Sequence, residues 1–315
     1  MIAASGPSLE ARVYSVPLRT RFRGIDVRDG VLVQGPAGWG EFSPFWDYDL
    51  AESRRWWAAA EEAALTGWPE PVRDSVPVNV TVPAVGPERA HAIVTASGCR
   101  TAKVKVAEPG QSAADDVARV EAVRDALGPD GAIRVDANAA WDVDTAAARI
   151  AELDAVGLEY VEQPCATLAE LAALRRRIDV RVAADEVVRR AADPLAVDLR
   201  EACDVVVLKV QPLGGVRAAL RVAEAHGLPC VVSSALESSV GIAASATPAA
   251  LPELPFACGL ATVALFTGDV TSAPLLPVDG ALPVRRPEPD RLTEVAAGPV
   301  VDARWRARMT AVRAA

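Results

Sequence analysis

The chain is expected to fold as an α/β protein, a modified TIM barrel of (β/α)7β type with an α+β capping domain drawn from both chain ends. Three observations predict this. From about residue 99, short β-branched runs alternate with Ala/Leu/Arg-rich stretches of helical period, the rhythm of successive βα units. No GxGxxG follows an early strand, as a dinucleotide-binding open sheet would carry. Polar residues recur at the C-terminal end of nearly every run, where a closed barrel gathers its active site.

The runs are TAKVKV (101–106), AIRVDAN (132–138), EYVEQP (159–164), VRVAADE (180–186), DVVVLKV (204–210) and PCVVSSA (229–235). A further strand near PFACGLA (255–261) makes seven and leaves room for an eighth, so the barrel is assigned to 93–265. Asp142 or Asp144 suits the start of a helix over 145–155, and Asp193-Pro194 the start of the next. Gly214-Gly215 reads as a tight turn ahead of a helix, not as a phosphate cradle. Residues 1–92 read as the cap, with ARVYSVPL and GVLVQGPAGWGEFSP as antiparallel strands and a helix over 51–66. Between those strands the polar, aromatic-bearing segment 19–30 (RTRFRGIDVRDG) reads as a mobile lid loop. The Pro-rich and then Arg/Ala-rich segment 266–315 breaks the βα rhythm and is expected to return to the cap.

Composition narrows the function classes. An apolar fraction of 51% with 24% charged residues belongs to a soluble globular protein. A formal charge of −9 without a basic face argues against nucleic acid as partner. No apolar run of about 18 residues suggests a membrane span, and no basic-headed apolar leader is evident, so the cytoplasm is the expected compartment. The cysteines (Cys99, Cys165, Cys203, Cys230, Cys258) are scattered and are expected to be buried and reduced. Nothing specifies an oligomer, and a monomer is compatible with the sequence.

The chemistry is concentrated in a few residues. Of 33 basic residues only three are lysine: Lys103, Lys105 and Lys209. Arginine cannot replace lysine where a neutral amine is required, which makes these three suspects for proton transfer. Lys103 and Lys105 share one face of a strand, so the charge of Lys103 would draw the Lys105 pKa down toward that of a working base. Asp136, Glu162 and Asp185 end three consecutive strands and should converge at the barrel mouth. Three carboxylates with waters and substrate suit the octahedral preference of Mg²⁺, with Mn²⁺ as the alternative; without Cys or His in the set, zinc is disfavoured. Lys209 should approach from the opposite side. A carbon acid held between two lysines, with its carboxylate on a cation, has what enolisation requires. Neither of the two histidines, His91 and His226, falls at a strand end, and His226 closes a helix before Gly227, which disfavours a histidine base. Trp141 follows DAN and is expected to be a core residue or to border the pocket.

KVK (103–105), DAN (136–138), EQP (162–164), DE (185–186) and Lys209 together resemble the enolase superfamily, in its muconate-lactonizing-enzyme-like subgroup with KxK and a distal lysine. The resemblance implies Asp136, Glu162 and Asp185 as metal ligands and Lys105 and Lys209 as the acid/base pair, with Asn138, Gln163 and Glu186 in support. SSALESSVG (233–241) followed by CGLATVALFTGDV (258–270) is similar to the o-succinylbenzoate synthase family, actinobacterial type. That similarity implies a small carboxylate substrate, syn elimination of water by way of an enediolate, and substrate contacts from Ser233, Ser234 and Glu237. Relatives with the same lysine pair racemise N-succinylamino acids or epimerise dipeptides, and these are the alternative activities. A non-catalytic barrel is the remote one, since every lysine and carboxylate is retained. In the lid, Arg21 and Arg23 are available to meet a carboxylate.

Overall fold

The computed structural model describes residues 9–245 and 250–315. The cap opens with three antiparallel strands in the order β1 (Glu10–Phe22), β2 (Ile25–Gly35) and β3 (Gly38–Phe42). Segment 19–30 is therefore no loop. It is the tip of a β-hairpin whose turn, Arg23-Gly24, has positive φ at both residues (48° and 75°), the geometry that matches strand twist. The alternation in IDVRDGVLV continues the strand that a count of polar residues hides.

Helix α1 (Leu50–Glu61) covers β3. Asp49 caps it, accepting from Glu52 N at 2.8 Å, while the Glu52 carboxylate accepts from Asp49 N at 3.2 Å. Its inner face buries Trp56, Trp57, Ala59 and Ala60. Phe42 sits edge-on to Trp57 (5.5 Å) and to Trp305 (5.8 Å) of α10 (Pro299–Ala314), which docks the C-terminal helix on the cap. Gly40 permits the close approach of α1 to β3: a Cβ there would lie 2.2 Å from Ala60 O. The C-terminal segment also bridges β1 at Leu18–Phe266 and Tyr14–Ala296. A small antiparallel pair, β4 (Ser75–Pro77) with β12 (Ala281–Pro283), stands apart from both sheets.

The barrel strands are β5 (Val80–Val82), β6 (Thr101–Lys105), β7 (Ala132–Asp136), β8 (Leu158–Glu162), β9 (Val182–Ala184), β10 (Val205–Leu208) and β11 (Cys230–Val232), parallel and in sequence order. The ring closes through Cys258 and Gly259. Val78 bridges Cys258 on one side and Ser233 bridges Gly259 on the other, so this short segment is the eighth position. The ring thus starts at β5, ahead of residue 93 where the sequence reading begins the barrel. Three residues of VNVTV are too few to announce a strand.

Helices α2 (Pro87–Ser97), α3 (Ala113–Leu127), α4 (Val143–Leu153), α5 (Leu168–Arg175) and α8 (Val216–His226) fill the crossovers. Asp142 caps α4, and Ser112 and Thr167 open α3 and α5 with reciprocal caps. After β9 there is only the single turn α6 (Glu186–Arg189). The helix expected at Asp193-Pro194 does not form, because the Asp193 carboxylate accepts from Leu195 N and closes a local turn instead. Gly214 ends the short α7 (Val210–Leu213), and Gly215 (φ 114°) leads into α8. A Cβ on Gly215 would meet Glu62 Oε2 at 2.2 Å, and that carboxylate accepts from Val216 N at 2.5 Å. A cap residue thus supplies the N-terminal anchor of a barrel helix.

The hydrophobic core has two parts. One is continuous between the barrel strands, their helices and the cap; the other fills the barrel interior with Tyr160, Ala183, Val205, Val207, Val231 and the half-buried Phe256. All five cysteines are free and buried, and Trp141 is a core residue. Among the described residues no helix is long and apolar enough to cross a membrane.

Candidate active site

Strand register assembles the site. Lys105 pairs with Asp136 and Asp136 with Glu162, so three side chains from neighbouring strands stand at one height, facing inward. Glu162 pairs with Ala183, which puts Asp185 just past the end of β9; Lys209 follows β10 directly. β6 and β10 are separated by β7, β8 and β9, so the two lysines flank the carboxylates. Several strand ends leave the extended region to turn outward: Asn138 (φ 47°), Ala139 (64°), Gln163 (39°) and Leu236 (64°) all have positive φ. Strained backbone of this kind is held in place by its surroundings at functional sites.

The carboxylates are fully buried, and each is tied to a cation. Lys103 Nζ donates to both Glu162 oxygens at 3.0 Å and lies 3.3 Å from Asp136. Lys105 Nζ donates to Asp136 Oδ2 (2.6 Å) and Asn138 Oδ1 (2.7 Å). Lys209 Nζ donates to Asp185 Oδ2 at 2.6 Å, and Arg189 Nε to Asp185 Oδ1 at 2.8 Å. Behind them, Gln163 Oε1 accepts from Asp185 N (2.9 Å) and Asn138 Nδ2 donates to Glu186 (3.3 Å).

These surroundings drive the lysines apart. Burial would lower Lys103, but Glu162 and Asp136 outweigh it and hold its pKa well above the ordinary lysine value. Lys105 is held below that value, by burial first and with the charge of Lys103 adding to it. The same cluster thus shifts two neighbouring lysines in opposite directions, as pairs of groups with divided acid and base roles are shifted. Burial is also the largest influence on Glu162, and with the charge of Asp136 it pushes the carboxyl up to about 7.

Among the described residues no three acidic, histidine or cysteine side chains are gathered tightly enough, as they stand, to enclose a metal ion. The donor chemistry nevertheless fits a hard cation. Three buried carboxylates, close enough to oppose one another's ionisation, form an all-oxygen set.

The pocket above this cluster combines barrel and cap. Lys103, Lys105, Asn138, Lys209, Ser233 and Ser234 line it from the barrel, all expected from the sequence. Ser234 Oγ shares a hydrogen bond with Thr262 (2.7 Å). Phe22, Arg23, Phe45 and Tyr48 line it from the cap, and Arg189 from the one-turn helix. Of these only Arg23 figures in the sequence reading; its partner there, Arg21, pairs with Asp26 on the surface. Arg189, four residues past Asp185, also bonds Tyr48 Oη and Glu186. Its spacing from Asp185 on a helix was the available signal.

Glu237 does not line the pocket. It is buried beneath the β11 loop, where Oε2 accepts from Ala235 N (2.7 Å) and Oε1 has no partner. Burial, then the charge of Glu41, pushes its pKa up to about 7 from an ordinary 4.5. A raised carboxyl contributes stability that is full below its unfolded pKa and is lost as pH rises to the folded one. Glu237→Gln is therefore expected to be more stable than wild type at pH 8, by at most about 3 kcal/mol, with the gain shrinking toward pH 5. Urea denaturation at the two pH values measures it; an equal difference at both would contradict it.

A model of the enolase C-terminal domain-like family matches residues 87–289, and one of the enolase N-terminal domain-like family matches 13–64. A protein of Thermobifida fusca (strain YX) named o-succinylbenzoate synthase is 66% identical over 98% of this chain and 97% of its own. The muconate lactonizing enzyme of Pseudomonas fluorescens, solved with muconolactone, shares the fold (TM-score 0.78, 22% identity, 92% of this chain and 99% of that one). So does the dipeptide epimerase of Enterococcus faecalis V583, solved with Mg and the dipeptide L-Leu-L-Tyr (TM-score 0.74, 22% identity, 90% and 98%). With its barrel ring, its α+β cap and its lysine–carboxylate mouth, this chain belongs to the enolase superfamily.

Proposed function

We propose that the chain is an o-succinylbenzoate synthase: a lyase that removes water from 2-succinyl-6-hydroxy-2,4-cyclohexadiene-1-carboxylate to give 2-succinylbenzoate, in menaquinone biosynthesis. The observation that carries this reading is the placement of Lys105 and Lys209 on either side of three carboxylates, in a chain 66% identical to a relative of that name.

Lys105, as the neutral amine, takes the proton from the carbon bearing the carboxylate. The electron pair released moves onto the carboxylate as an enediolate, then returns to form the ring double bond as the neighbouring hydroxyl departs, taking the proton from Lys105 to leave as water. Aromatisation of the ring makes the step downhill. Lys209, held by Asp185, faces the substrate from the other side and balances the negative charge that develops on its carboxylate. Asp136, Glu162 and Asp185 would hold a divalent cation, Mg²⁺ or Mn²⁺; when bound, it supplies positive charge for the substrate carboxylate. Asn138 and Gln163 orient this set through Lys105 and the Asp185 backbone. Phe22, Phe45 and Tyr48 keep water from the reacting carbon.

The test follows loss of the diene chromophore with the purified protein. Turnover is expected with Mg²⁺, and EDTA is expected to abolish it. Folded, Mg²⁺-supplied protein that leaves the diene intact would overturn the assignment, and α-deuterium exchange of N-succinylamino acids in D₂O would then report the racemase alternative.

A further inference from the structure

The loop after β11 presents Ser233, Ser234, Ala235 and Leu236 to the pocket, yet it has little regular structure of its own before α9 (Ser239–Ser245). Its support comes from two charged residues of the cap sheet, neither of them part of the proton-transfer chemistry. Arg28 of β2 is 1% exposed and Glu41 of β3 is 2% exposed. Arg28 Nε donates to Leu236 O at 2.8 Å, and its Nη2 reaches Ala235 O at 3.4 Å and Ser43 Oγ at 3.0 Å. Glu41 accepts from Ser238 N (3.1 Å), from Gly241 N (3.0 Å) and from the Ser238 hydroxyl. Tyr14 and Ser43 hydroxyls, each at 2.7 Å, hold the carboxylate from the cap side.

The two ends are complementary. A guanidinium takes the carbonyls at the start of the loop, and a carboxylate takes the amides at its end. Between them, Leu236 sits at φ 64°, a conformation costly for a branched side chain. Its carbonyl is held by Arg28 and its amide by Ser234 Oγ (3.2 Å). Phe45, which lines the pocket, stacks beneath the Arg28 guanidinium at 4.3 Å. The same arginine therefore touches the loop wall and the aromatic wall of the cavity.

We infer that Arg28 and Glu41 are positioning residues: a two-ended latch through which the cap fixes loop 233–241 in the shape that seats the substrate arm remote from the reacting carbon. The kinetic part of this inference rests on the proposed synthase activity; the structural part does not.

Two measurements on the full chain separate them. In Mg²⁺-supplied enzyme, Arg28→Met is expected to raise KM about tenfold while kcat falls less than about threefold, since one buried charged hydrogen-bond set is lost away from the base. Glu41→Gln should act in the same direction, and Arg28→Lys should recover part of the KM. Equal losses in kcat for all three that track their melting temperatures would mean a merely structural role and overturn the latch. Hydrogen exchange by mass spectrometry needs no substrate. Exchange in 233–241 should quicken about tenfold in Arg28→Met and in Glu41→Gln, with β6 to β10 unchanged. Unaltered exchange in that loop would overturn the latch even in a protein that dehydrates the diene, and quickened exchange would sustain it in one that does not. Should Arg28→Met not fold, Arg28→Lys and Glu41→Gln carry both measurements.

Discussion

Lys105→Ala is expected to lower kcat by about 10² to 10⁴-fold, the usual contribution of a positioned general base, while product affinity changes little. Asp136, which loses its 2.6 Å partner, keeps Lys103 at 3.3 Å, so the buried carboxylate is not left without a cation and the fold should survive. The sharper variant is arginine. Lys105→Arg retains the charge but cannot become neutral, so it is expected to be as inactive as alanine. Lys209→Arg, asked only to supply charge beside Asp185, should retain a measurable fraction of the rate. Steady-state rates of the three variants decide this: an active Lys105→Arg enzyme would remove Lys105 from the base role, and an inert Lys209→Arg enzyme would give Lys209 a share in proton transfer.

The largest stability effect is expected at Arg134, at the opposite end of the barrel interior. The side chain is wholly buried. Its Nε donates to Glu159 at 2.5 Å, and Nη1 donates to Asn79 Oδ1 (3.1 Å) and to Ala257 O (2.6 Å). The guanidinium also lies over Tyr160 at 4.7 Å. Arg134→Met preserves bulk but strands three acceptors, one of them next to the segment that closes the ring. Glu159 is part-exposed, so water offsets some of the cost. A loss of about 3 kcal/mol is expected, read as a lower urea midpoint at unchanged slope. Adding Glu159→Gln should recover part of it, because a charge no longer waits unpaired. A midpoint within error of wild type would show that the interior tolerates an apolar plug and that the arginine contributes nothing net.

The carboxylates and lysines of the candidate site were legible because each lies at or near the C-terminal end of a barrel strand, and strand register alone brings such residues to one height. Lys103, Lys105, Asp136 and Glu162 needed no more than period two and parallel pairing. Lys209 and Asp185 needed only the end of a strand. What the sequence hid depends on contacts between distant segments. Phe22, Phe45 and Tyr48 belong to the cap, and no local pattern in the cap says which aromatic will overhang a barrel mouth. Arg28 and Glu41 sit in strands where a charge reads as solvent-facing, and only the closed structure turns that face inward. The hairpin at 19–30 is hidden for a related reason: RTRFRGIDVRDG is polar on both faces near its turn, so its pairing is carried by β2 residues further along. Glu237 went the other way, expected at the substrate and found beneath the loop, where its carboxylate accepts from the Ala235 amide, a loop contact no local pattern announces.

The seam at Cys258–Gly259 bears on how the molecule is made. Five strands, β6 to β10, intervene between β5 and β11, the two sides that this short segment joins. Each parallel pairing before it is between neighbours in sequence, so those can zip in order, whereas the seam can form only when the whole arc is curved enough to bring its ends together. The entropic cost of that closure falls on a handful of hydrogen bonds and on the Arg134 contact beside them. The last event in folding, and the first in unfolding, should therefore be the joining or parting of this seam, with an open arc of strands as the species most exposed to aggregation.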